Sequence, residues 1–224
     1  QIFLIILCVH LLSISLTITR INFLDYLLKN YLFAIIFTSF CILIIINGSN
    51  FIDGINTLVI GYYLIISCAL LFLQNYGLEI SFYFPLNLLI LCLICLLAFN
   101  FCNKLFLGDS GAYILGFLFS VELINLYLQN LNISPFFIIL LLWYPAFENL
   151  FSILRKINFK KSPIFPDTSH LHQLIFSYFK SKNLSLLKSN NLAGFLINLY
   201  NAIIIMISLT DPFNTQFQII LIIF

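Results

Sequence analysis

Residues 31–54 read YLFAIIFTSFCILIIINGSNFIDG. From 31 to 47 no charged side chain interrupts the run. At about 1.5 Å per helical residue, such a run is long enough to cross most of a bilayer core. Polarity then changes abruptly at Asn47-Gly48-Ser49-Asn50-Phe51-Ile52-Asp53-Gly54. An apolar span followed by a polar island rich in Asn, Gly and Asp is the pattern of a membrane helix that ends in chemistry.

The rest of the chain repeats that pattern. Its 224 residues are 62% hydrophobic and 8% charged. A soluble domain of this length needs a charged surface that these residues cannot supply. A transmembrane barrel would show short alternating segments, which are absent. The expected fold class is therefore all-α, a polytopic transmembrane helical bundle forming one integral membrane domain over 1–224. Eight apolar segments are expected near 1–16, 31–47, 57–75, 81–99, 111–129, 135–154, 191–210 and 218–224. The first and last read as incomplete. The chain opens at Gln1 inside one apolar run and closes at Phe224 inside another, so it reads as an N-terminally incomplete piece.

Basic residues orient the bundle. Arg155, Lys156, Lys160, Lys161, Lys180, Lys182 and Lys188 all follow the sixth segment. Such clusters stay in the cytoplasm. Alternation then places loops at about 48–56, 100–110 and 155–190 on the cytoplasmic side. These loops contain three polar islands: the first island, Gly108-Asp109-Ser110-Gly111, and His170-Leu171-His172. Loops that build one site must share a side, and these do.

Asp53 and Asp109 are expected just ahead of helix starts, where unpaired backbone N–H groups attract anions. A carboxylate at such a place can hold a divalent cation together with substrate phosphates. Asn47, Asn50 and Asn56 add neutral hydrogen-bonding groups. His170 and His172 share one side only if their segment is extended. Glu148, two turns before Arg155 and Lys156, is a candidate lining residue, because acids in apolar spans are costly and functional by default. Glu122 has no assignment on the same argument.

The ordered set Asn47-x-x-Asn50-x-x-Asp53-Gly54-x-Asn56, Gly108-Asp109-Ser110-Gly111 and His170-x-His172 resembles the polyprenyl-phosphate N-acetylhexosamine-1-phosphate transferases of glycosyltransferase family 4, including the undecaprenyl-phosphate N-acetylglucosamine-1-phosphate transferases. The resemblance runs from about 31 to 190. It implies transfer of an N-acetylhexosamine 1-phosphate from a UDP-sugar to undecaprenyl phosphate, with release of UMP, at the start of a cell-envelope glycan. It implies that Asp53 and Asp109 are catalytic, with Asp109 a ligand of magnesium, for which manganese could substitute. It also implies that Asn47, Asn50, Asn56, His170, His172, Glu148 and Arg155 bind substrate. The expected setting is the bacterial cytoplasmic membrane, with membrane lipid around the protein, a homodimer as a candidate assembly, and no nucleic-acid partner.

The chain departs from the family pattern at several places. The usual Asp-Asp pair of an earlier cytoplasmic loop is expected upstream of residue 1. Thr57 stands where Gly is usual, and Gln173 follows His172 where a third His is common. Two other readings stay open: a membrane transporter, and a non-catalytic relative that binds prenyl phosphate. An intramembrane aspartyl protease is disfavoured, because Phe106 occupies the first Gly position of its G-x-G-D motif.

Overall fold

The computed structural model describes residues 1–78, 80–158 and 170–223. Among them the structure is helical throughout: α1 (Ile2–Leu11), α2 (Asn22–Leu28), α3 (Tyr31–Ile52), α4 (Leu58–Asn75), α5 (Leu86–Phe101), α6 (Gly108–Gln129), α7 (Pro135–Leu141), α8 (Trp143–Asn158), α9 (Leu171–Ser181), α10 (Leu186–Ser208) and α11 (Thr215–Ile223). The polytopic all-α expectation holds. Four helices, α3, α4, α6 and α10, are long and apolar enough to cross a membrane, or five spans if α7 and α8 count as one bent span.

Helix α3 is the hub, packing on α1, α6 and α8. It starts where the Asn30 side chain accepts the N–H groups of Leu32 and Phe33, which satisfies two of the orphan donors at a helix start. Close packing needs a missing side chain here. A Cβ on Gly48 would collide with the Pro145 carbonyl of α8, and small residues of this kind let membrane helices cross tightly. On the other side of the bundle, α4 packs on α5 and α10.

Several segment boundaries differ from the sequence reading. Helix α3 runs on through the first island to Ile52, so the loop shrinks from 48–56 to 53–57. The apolar segment expected at 81–99 becomes helical only from Leu86, giving 16 residues. The stretch before it is fastened to α6 instead. Glu122 accepts the N–H groups of Tyr83 and Phe84 (3.3 and 3.0 Å), and Gln129 and Asn125 bond Ser81. The sixth segment is broken: α7 and α8 meet at 76°. Pro145 explains the break, since it cannot donate to the carbonyl of Leu141 and its ring crowds that turn. In the expected 155–190 loop, residues 171–181 form α9, while 159–169 lie outside the described residues.

The two ends of the bundle carry different chemistry. At one end Arg20 donates to the carbonyls of Leu131, Asn132, Ile133 and Phe213 and to the Thr215 hydroxyl. At the other, the ends of α3 and α5 meet the starts of α4, α6 and α9.

Candidate active site

The first island is built on the last turns of α3. Asp53 is the C-cap residue of that helix, with φ −78° and ψ 36°. This corrects the expectation that Asp53 precedes a helix start. It closes one helix, and α4 begins only at Leu58. The helix start it lies beside is that of α6, where the backbone N–H of Gly108 favours its charged form. Gly108 has φ +66°, a left-handed conformation that suits glycine. Asp109 follows inside the first turn of α6 rather than ahead of it.

Burial pushes the Asp53 carboxyl up to about 6. The backbone N–H of Gly108 works against that rise, and the nearby negative charge of Asp109 adds to it. Asp53 is half-buried and Asp109 exposed. Two acids, one closing α3 and one in the first turn of α6, thus interact at the positive end of a 22-residue helix.

The third island closes on the first. His170 is the N-cap of α9 in an extended conformation (φ −69°, ψ 147°), and His172 lies inside that helix. The extended N-cap brings both rings to one side, where they stack at 5.5 Å with planes 12° apart. His170 Nδ1 donates to Glu148 Oε2 at 2.8 Å, and the Leu171 N–H donates to Glu148 Oε1 at 3.1 Å. One carboxylate therefore orients a ring and caps a helix. Phe51 stacks on His170 at 5.7 Å.

His172 is fully buried, and neither ring nitrogen has a hydrogen-bond partner. Burial, with His170 beside it, lowers its pKa to about 4, opposed by Glu148, so the ring is neutral near pH 7. Its Nε2 lies where a Cβ on Gly54 would sit, at 2.5 Å. Only glycine lets the ring approach the Asp53–Gly54 backbone so closely.

The other expected site residues are placed less uniformly. Asn50 Nδ2 donates to the Tyr113 hydroxyl on α6 at 3.3 Å. Asn47 turns back to the Leu43 carbonyl of its own helix at 3.0 Å. Asn56 is buried, and its amide donates to Asn103 Oδ1 at 3.0 Å. It faces protein, where the sequence reading expected a substrate contact. Arg155 lies two turns beyond Glu148, with its guanidinium 5.2 Å from the Phe151 ring. Sequence reading missed Tyr113, Phe51 and the asparagines of α5 and α10. An available signal was the cost of an amide in an apolar run, which calls for a partner.

An apolar cavity of about 240 Å³ lies between α3 and the α7–α8 bend, lined in part by Ile42, Ile45, Ile138, Leu142, Ala146 and Leu150. Ala146 and Leu150 flank Glu148 along α8.

The sequence profile of glycosyl transferase family 4 matches residues 1–127. The chain belongs to glycosyl transferase family 4. Similar curated proteins agree. The decaprenyl-phosphate N-acetylglucosaminephosphotransferase of Mycolicibacterium smegmatis is 32% identical over 149 residues, 57% of this chain and 37% of that protein. The probable undecaprenyl-phosphate N-acetylglucosaminyl 1-phosphate transferase of Bacillus subtilis is 30% identical over 148 residues, 64% of this chain and 40% of that protein. The undecaprenyl-phosphate alpha-N-acetylglucosaminyl 1-phosphate transferase of Thermotoga maritima is 28% identical over 129 residues, 58% and 38% of the two chains. The family-4 chain spans about two fifths of the length of these curated relatives. No solved structure matches it.

Proposed function

We propose that the protein transfers an N-acetylhexosamine 1-phosphate, N-acetylglucosamine 1-phosphate first among them, from a UDP-sugar to undecaprenyl phosphate. The products are the undecaprenyl-diphosphate sugar and UMP. The observation that carries this reading is the meeting of Asp53 with Asp109 at the start of α6, in a membrane chain whose relatives are named for this class of transfer.

A lipid phosphate oxygen attacks the β-phosphorus of the donor. The bond from that phosphorus to the bridging oxygen breaks, and the bridging oxygen leaves with UMP. A phosphate monoester is largely ionised at pH 7, its second pKa being about 6, so no strong base is needed. The difficulty is bringing two anions together, and catalysis is then positioning and charge stabilisation.

The donor set fits magnesium. Among the described residues no cluster of three or more His, Cys, Asp or Glu side chains could enclose a metal. Two carboxylates open on one side are what magnesium uses when phosphates complete its shell. Asp109 and Asp53 would hold the ion, and manganese would suit the same oxygens. Bound there, it would supply neutralisation of the diphosphate charge. The first turn of α6 offers unpaired N–H groups to a phosphate oxygen. Asn47 and Asn50 line the approach. His170, whose Nδ1–H is held by Glu148, leaves Nε2 to contact substrate, with His172 stacked against it, and Arg155 supplies positive charge further along α8. The apolar cavity beside the α7–α8 bend suits a prenyl chain. The reaction would run on the cytoplasmic face of a bacterial membrane, where nucleotide sugars are found, a side supported by the basic residues that follow the sixth apolar segment.

The test uses membranes carrying the protein, supplied with undecaprenyl phosphate, magnesium and a panel of UDP-N-acetylhexosamines. UMP release is the expected result. Release of UDP, or of neither nucleotide from well-inserted protein, would overturn the reading.

A further inference from the structure

We infer that Asn100 is a positioning residue that sets the spacing between Asp53 and Asp109. The inference rests on the roles proposed above for those two acids. Asn100 is the last-turn residue of α5 and is 5% exposed. Its Oδ1 accepts the N–H of Thr57 at 2.5 Å, and its Nδ2 donates to the carbonyl of Leu105 at 2.8 Å. Thr57 lies four residues after Asp53, and Leu105 four residues before Asp109. One buried amide therefore bridges the two loops that carry the acids.

Other asparagines hold the same turn in place. Asn190 Oδ1, at the start of α10, accepts the N–H of Asn56 at 2.8 Å. Asn198, deeper in α10, donates to the Thr57 carbonyl at 2.9 Å. Asn103 accepts from the Asn56 side chain. Thr57 sits at φ +69°, a conformation costly for a β-branched residue and kept only where the surroundings over-determine it. The asparagine amides supply that determination. A buried amide needs both its donor and its acceptor satisfied, and Asn100 satisfies both across the two loops.

The arrangement gives Asn100 work beyond holding the fold. A displacement of about 1 Å at reacting groups costs on the order of a hundredfold in rate. Without Asn100, the 53–57 and 102–107 loops keep the single side-chain bond from Asn56 to Asn103.

The experiment combines hydrogen–deuterium exchange with transfer kinetics on the protein in membranes or detergent. Asn100→Leu removes both bonds. Asn100→Asp keeps the acceptor for Thr57 and loses the donor to Leu105. In Asn100→Leu, the amide of Thr57 is expected to exchange about tenfold faster or more, with α3 and α6 unchanged. Its kcat per folded molecule should fall at least about tenfold, with KM for either substrate within about twofold and more magnesium needed for half-maximal rate. Asn100→Asp should keep Thr57 protected and recover part of kcat. It also carries the test if the Leu variant does not fold. Unchanged exchange at Thr57 in Asn100→Leu would remove the bridge. Faster exchange with unchanged kcat per folded molecule would make Asn100 structural only, and either result overturns the inference. If the unsubstituted protein transfers nothing, the functional reading fails instead. Exchange at Thr57 then still decides whether Asn100 ties the loops.

Discussion

Asp53 closes α3 beside Gly108, the residue on which α6 begins. A single carboxylate thus sits where the end of one spanning helix meets the start of another, within the field of Asp109. Asp53→Asn and Asp109→Asn each keep the shape of the side chain and lose its charge. Both variants should insert normally and lose at least about a hundredfold in transfer rate, the scale of removing one stabilising group from a phosphoryl or acyl transfer site. Near-normal turnover in either one, measured per folded molecule, would remove the acids from the chemistry. The same pair predicts a pH effect on cation binding. With the Asp53 carboxyl pushed up to about 6, magnesium affinity should weaken as pH falls through that value, because the proton and the cation compete for one carboxylate.

His172 gives a stability prediction of definite sign. Its folded-state pKa of about 4 lies below the ordinary 6.5. The unfolded chain takes up the proton first, so stability is lost as pH falls from 6.5 towards 4 and is unaffected above 6.5. Asp53, raised from 3.8 to about 6, acts with opposite sign across part of that window. Comparing the protein with its His172→Gln variant isolates the histidine. Thermal unfolding at pH 7 and pH 5 should show a smaller acid loss in the variant, and equal losses would count against a buried neutral ring.

Thr57→Gly should stabilise the protein by about 1 kcal/mol. Thr57 is a β-branched residue at φ +69° whose buried hydroxyl has no partner. Glycine relieves the conformation and removes the unpaired group, which together outweigh the extra freedom it gives the unfolded chain. The midpoint of thermal unfolding in detergent is the measurement, and a lower midpoint would contradict the assignment.

Arg20→Ala should cost about 1–2 kcal/mol, since its charged hydrogen bonds to two loops and the start of α11 lie at an exposed end. Arg20→Lys should recover little, because an ammonium cannot reproduce the planar fork. Transfer per folded molecule should be unchanged in both, as Arg20 sits at the end of the bundle opposite Asp53. A fall in kcat per folded molecule would show that the two ends are coupled.

The sequence made the shared side of the islands legible, because span lengths and basic residues fix which loops meet. It also marked the acids and the histidine pair. It misjudged where α3 ends, because Asn47, Ser49 and Asn50 look like loop residues. On a long helix, however, packing outweighs their weak propensity: Ser49 turns its hydroxyl to the Ile45 carbonyl and to Tyr63. Pro145 was a visible sign of the α7–α8 break within a run that still reads as apolar. The partners of Asn100 and Asn190 were not legible. A backbone N–H 43 or 134 residues away leaves no periodic mark in the sequence. Glu122, which composition alone marks as functional, is occupied by the Tyr83 and Phe84 amides.

The reach of Arg20 fixes an order of assembly. Its bonds to Phe213 and Thr215 span 193 and 195 residues of chain. At about 5–20 residues per second of synthesis, the arginine waits on the order of ten to forty seconds for those partners. The contacts it clamps therefore form only after α1 through α10 have been made.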